Sequence, residues 1–150
     1  MYTRQETSLI RQKFWTSFGQ YMRPVKGAGG EPTNWINYKT GIRHLYFRMD
    51  AGSNLATVAI ELRQKDVLLQ QQYMEQFQQM KAVLEELTGE AWDWEWLVEN
   101  NDGSRTSRIS KTITGVNIFN EDEWPAIISF LKPRIMALDH FWILVKDGFE

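Results

Sequence analysis

Apolar positions recur every three to four residues in three stretches of this chain and every second residue in four others, and the order of those stretches predicts an α+β fold. Ile10, Phe14, Phe18, Tyr21 and Met22 keep helical spacing behind Thr3-Arg4-Gln5-Glu6, a capping-box pattern, so a first helix is expected from Arg4 to Met22, ending at Arg23-Pro24. Pro24 to Asn34, with Lys26-Gly27-Ala28-Gly29-Gly30, reads as a flexible loop. Arg43 to Asp50 and Leu55 to Gln64 are extended runs separated by Ala51-Gly52-Ser53-Asn54, a hairpin with a four-residue loop. That register sets Leu45, Phe47 and Met49 against Ile60, Val58 and Ala56 on the core side. On the other face it pairs His44 with Glu61, Tyr46 with Ala59 and Arg48 with Thr57.

Asp66 can cap a long second helix in which Leu69, Tyr73, Phe77, Met80, Leu84 and Leu87 form the buried stripe, with Gln70, Gln71, Gln72, Gln76, Gln78 and Gln79 on a solvated face and Thr88-Gly89 as the stop. Next, Trp92-Asp93-Trp94-Glu95-Trp96-Leu97-Val98-Glu99 alternates, which places three tryptophans on one side of a strand, as a wall of the core, and carboxylates mostly on the other. Asn101-Asp102-Gly103-Ser104 turns the chain into Arg105 to Thr114, with Trp96 expected across from Ile109 and Trp92 from Ile113. Asn120-Glu121-Asp122-Glu123 opens a last helix with the stripe Ile128, Leu131, Ile135, Leu138, Trp142 and Val145, which Pro133 should kink or split. The expected architecture is helix-hairpin-helix-hairpin-helix, an antiparallel sheet of about four or five strands with helices packed on one face.

Composition adds bounds. The 150 residues are 43% hydrophobic and 13% aromatic, which fits a single domain, residues 1–150, with a sizeable core. There is no cysteine, hence no disulfide, thiolate metal site or cysteine nucleophile, and two histidines are too few for a histidine-based zinc centre. No run of about 18 apolar residues is present and the N-terminal segment is polar, so no membrane span or signal peptide is expected and the cytoplasm is the expected compartment. The formal charge of −2 conceals a division: residues 1–65 carry ten basic and four acidic side chains, and the remainder seven and fifteen. A basic half can meet phosphate, or be neutralised by its own acidic half.

Candidate chemistry is sparse. The glycines of Lys26 to Gly30 follow a helix instead of a strand and lead to no Lys-Ser/Thr, so they do not form a nucleotide loop. Asp50 followed by Glu61-Leu62-Arg63 is similar to the metal-holding pattern of PD-(D/E)XK nucleases, but Arg63 stands where lysine is expected and cannot exchange a proton near neutral pH. His44, Tyr46, Arg48, Glu61 and Arg63 make a polar cluster on the first hairpin, where a His-Glu pair could serve as a general base. Arg43, Arg48, Arg63 and Lys65 are the candidate contacts to nucleic acid. Trp124, Phe130, Phe141 and Trp142 widen the last helix's apolar surface beyond one stripe, which predicts a homo-oligomer surface. No catalytic residue set, metal site or cofactor is expected.

Phe14-Trp15 through Gly19-Gln20-Tyr21-Met22, Asn34-Trp35-Ile36-Asn37-Tyr38-Lys39-Thr40-Gly41, Phe47-Arg48-Met49-Asp50, Ile60-Glu61-Leu62, Gln76-Phe77, Trp92-Asp93-Trp94-Glu95 and Ile128 to Arg134 through Leu138 to Trp142 resemble the family catalogued as domain of unknown function 4268. The resemblance covers nearly the whole chain and carries no established activity. In longer bacterial relatives a similar domain follows a nuclease-like domain, which implies a role beside nucleic-acid processing. The combined expectation is a non-catalytic binding or assembly domain; a metal-dependent nuclease using Asp50 and Glu61, or a direct nucleic-acid binder, is the alternative.

Overall fold

Thr3 starts the first helix as expected: its hydroxyl accepts from the Glu6 amide at 3.1 Å while the Glu6 carboxylate accepts from the Thr3 amide at 3.4 Å. In the computed structural model, which describes residues 2–149, helix α1 spans Arg4–Met22 and buries Phe14, Phe18 and Met22. Strands β1 (Leu45–Ala51), β2 (Leu55–Leu62), β3 (Asp93–Glu99) and β4 (Arg105–Thr114) form a four-stranded antiparallel sheet in the order β1-β2-β4-β3. Helices α2 (Val67–Gln79), α3 (Lys81–Thr88) and α4 (Trp124–Val145) complete an α+β fold. Helix α4 packs on β1 and β2, and α2 on β3 and β4. Among the described residues no helix is long and apolar enough to cross a membrane.

The faces of the first hairpin follow the alternation, but its register is two residues tighter than expected. Leu45 lies opposite Leu62, Phe47 opposite Ile60, Met49 opposite Val58 and Ala51 opposite Ala56. The Gly52 amide donates to the Leu55 carbonyl at 2.8 Å, so Ser53 and Asn54 alone make the turn. A shift of two keeps every side chain on its own face, which is why alternation cannot detect it. The two hairpins join through β2 and β4, where Leu62 pairs with Ser107 and Leu55 with Thr114.

The tryptophan strand departs further. Trp94, not Trp96, sits across from Ile109, and Trp92 lies just before the strand, with no pairing to Ile113. A bulge between Glu95 and Val98 accommodates the extra residue: Leu97 takes a left-handed φ of 50° and its amide donates to the Ser107 hydroxyl at 2.9 Å. Burial therefore fades along the strand. Trp92 is buried, Trp94 is half-buried, and Trp96 is 36% exposed and stacked on Trp94 with ring centroids 6.4 Å apart.

The expected long middle helix is broken at Met80, which adopts φ −98° and ψ 9°, and its second piece ends on Gly89 at φ 72°. The buried positions of α2 are Gln70, Met74 and Phe77, so the stripe lies one residue away from Leu69 and Tyr73. Gln70, expected in solvent, is fully buried because its amide is used completely. It donates to the carbonyls of Gln64 and Arg105, both at 3.0 Å, and accepts from the Ser107 hydroxyl at 2.6 Å.

Helix α4 stays one helix through Pro133, which neither splits it nor ends it. Its aromatic surface is also not the oligomer surface expected from the sequence. Phe130, Phe141 and Trp142 are buried in the chain's own core, and Trp124 is half-buried with its indole N–H on the Ile118 carbonyl at 2.6 Å. Phe77, Phe141, Trp142 and Phe149 form an aromatic cluster with centroids 4.5 to 6.3 Å apart. The wide apolar surface of this helix thus reflects packing on several sides, against the sheet, α1 and α3.

Candidate binding site on the open sheet face

With the helices on one face of the sheet, the other face carries polar side chains whose rows follow from the register. Tyr46, Glu61, Arg108 and Glu95 lie side by side across all four strands, followed by Arg48, Ala59, Ser110 and Asp93, then Asp50, Thr57 and Thr112. The Thr57 and Thr112 hydroxyls meet at 3.0 Å. The sheet's twist leaves a concave depression of about 680 Å³ here, lined by Arg48, Asp50, Glu61, Arg63, Arg108 and Ser110 among others.

Glu61 is the organising residue. It sits on a central strand, 4% exposed, and three guanidiniums converge on its carboxylate. One oxygen takes Arg63 Nε at 2.5 Å and Arg48 Nε at 3.3 Å; the other takes Arg108 through a nitrogen at 2.9 Å and Nε at 3.3 Å. Burial pushes the Glu61 carboxyl upward, but the hydrogen bonds and charges of Arg108 and Arg63 outweigh it and hold the group below its usual range. The three arginine side chains remain 52%, 51% and 36% exposed, so each guanidinium is oriented yet accessible. Arg48 also lies 4.2 Å from the centroid of the Tyr46 ring, a cation–π contact that fixes its plane.

The structure brings Tyr46, Arg48, Glu61 and Arg63 together, and adds Arg108, which the sequence reading did not single out. Its signal was its place next to Ile109 on an alternating strand. His44 is elsewhere. It precedes β1 at φ 65°, its carbonyl accepts from the Arg63 amide at 2.9 Å, and it lines a separate hollow with Arg43, Gln64, Lys65 and Tyr73. Tyr46, not His44, faces Glu61, so the His-Glu base pair does not form. Arg43 and Lys65 leave the arginine row with it.

Asp50 shares the open face but sits opposite Thr57, four positions along β2 from Glu61, about 13 Å at strand spacing. Its carboxylate accepts from the Ala51 amide at 2.9 Å. Both oxygens of Glu61 are taken by guanidiniums, and among the described residues no group of three or more His, Cys, Asp or Glu could hold a metal ion. Asp50 and Glu61, the pair named in the alternative nuclease reading, therefore do not come together as ligands of one metal ion.

The family model described as a domain of unknown function, DUF4268, matches residues 10–146. The chain belongs to the DUF4268 family. The matched span of this DUF4268 chain runs from the middle of α1 beyond the end of α4, and so contains every residue of the arginine row. No curated protein matches the chain, and no solved structure matches it.

Proposed function

We propose that this DUF4268 chain is a non-catalytic binding module that works in the cytoplasm and contacts the phosphates of a nucleic acid through Arg48, Arg63 and Arg108. The observation that carries the reading is the convergence of three half-exposed guanidiniums on one buried carboxylate. Only Glu61 engages the three guanidiniums, while Asp50 and Glu95 stand at opposite ends of the same depression, and the remaining donors of the arginine forks suit phosphate oxygens. Tyr46 beside Arg48 offers a ring on which an unpaired base can stack. Glu95 and Asp93 at the β3 end and Asp50 at the turn end of β1 confine the favourable ground to the row of Arg48, Arg63 and Arg108.

The test is fluorescence anisotropy of a labelled single-stranded oligonucleotide against the intact chain. Three phosphate contacts predict a fall of log K with log salt of slope about −2. Replacing Arg48, Arg63 and Arg108 together by alanine should abolish binding while circular dichroism stays native. Absence of binding at low salt, or binding that the triple variant retains, removes the proposal.

A further inference from the structure

Arg23 to His44 connects α1 to β1 over 22 residues without helix or strand, longer than the roughly 12–15 residues beyond which such connections are uncommon. It is nonetheless held against α4. The buried Asp139 carboxylate accepts from the Ala28 amide at 2.7 Å and from the Tyr38 hydroxyl at 2.5 Å, and the Trp142 indole donates to the Thr40 carbonyl at 2.8 Å. Between this connection and the middle of α4 lies a groove of about 670 Å³.

Its floor is apolar, formed by Trp35, Pro133, Met136 and Ile143, and its other polar walls are Lys26, Lys132 and His140. Asp139 also borders it but spends both oxygens inward, on Ala28 and Tyr38. Glu31 is folded over the loop at the Ile143 end of the groove, where a Cβ on Gly27 or Gly29 would collide with its carboxylate, and it is not among the lining residues. Lys132 is already oriented: its ammonium lies 4.9 Å from the Tyr21 ring centroid and 3.4 Å from the Tyr21 hydroxyl, with further donors to spare. A volume within the range of small-molecule sites, an apolar floor and two lysines on the rim, against the single inward-turned carboxylate of Asp139, define the ligand chemistry.

We propose that this groove binds a small organic anion, its apolar body on Met136, Pro133 and Ile143 and its acidic head at Lys26 and Lys132. The site is separate from the arginine row, on the helical side of the molecule.

The probe pair is 8-anilinonaphthalene-1-sulfonate and its uncharged analogue N-phenyl-1-naphthylamine, followed by fluorescence with the full chain. The sulfonate should bind with one-to-one stoichiometry and shift the Ile143 methyl resonance. Lys26→Glu with Lys132→Glu, the first exposed and the second half-buried, should weaken the sulfonate about fivefold or more and leave the neutral probe within about twofold. Met136→Trp, which fills the floor, should weaken both probes. Sulfonate affinity unchanged by the charge reversal overturns the proposal, as does loss of binding only when Arg48, Arg63 and Arg108 are replaced. That second result would assign the sulfonate to the sheet face, whereas oligonucleotide binding lost with the groove intact bears on the sheet face alone.

Discussion

Buried Glu61 and half-buried Tyr38 show how single polar groups can make stability depend on pH. Glu61 is held ionised by Arg108 and Arg63, so Glu61→Gln should destabilise the chain by about 1–3 kcal/mol in urea titrations at neutral pH. The sign of its pH effect follows from its lowered pKa. Its contribution is complete above the ordinary glutamate value of about 4.3 and is lost as pH falls through the folded value. The acid limb of stability against pH should therefore be shallower in Glu61→Gln than in the parent. Tyr38 is shifted the other way, well above an ordinary tyrosine, by burial first and then by its hydrogen bond to Asp139. Its contribution is complete below about pH 10 and is lost as pH rises toward the folded value. Tyr38→Phe should cost about 1–3 kcal/mol near neutrality, because one Asp139 oxygen loses its donor, and should flatten the alkaline limb in the same measurement.

At the scale of elements, Pro133 is the clearest local conflict. It lies exposed inside an unbroken helix, where proline removes one backbone donor and is about 3 kcal/mol less favourable than alanine. Pro133→Ala should raise the thermal midpoint by several degrees. A lower midpoint would mean the ring's packing in the groove outweighs the backbone cost. The ends of α1 and the faces of the first hairpin were legible because capping residues and alternation are local signals. The hairpin registers were not, since a two-residue slip preserves every face and only turn closure and the Leu97 bulge decide between alternatives. Gln70 escaped the reading because a glutamine is buried only when distant partners satisfy it, and its partners Gln64, Arg105 and Ser107 meet it through tertiary structure. For the same reason Tyr46, Arg48, Glu61 and Arg63 were readable as one face, whereas Arg108 required the β2–β4 pairing and His44 was carried away by its left-handed backbone.

At the scale of the whole molecule, folding does not erase the division of charge between the two halves of the sequence. Of seven ion pairs among the described residues, only Lys13 with Glu121 and Arg108 with Glu61 join the basic half to the acidic one. The halves are united instead by the ladder between β2 and β4, and that ladder sets an order of events during folding. Its partners stand from 45 residues apart in sequence, Leu62 with Ser107, to 59 apart, Leu55 with Thr114, whereas each hairpin closes locally. Closing the long loop costs chain entropy before any contact repays it, so two preformed hairpins meeting through β2 and β4 should be the rate-limiting encounter. Ile109→Val, which trims the buried centre of that junction, should then slow refolding a few-fold in stopped-flow experiments and leave the unfolding rate nearly unchanged. A change confined to unfolding would place the meeting of the hairpins after the barrier.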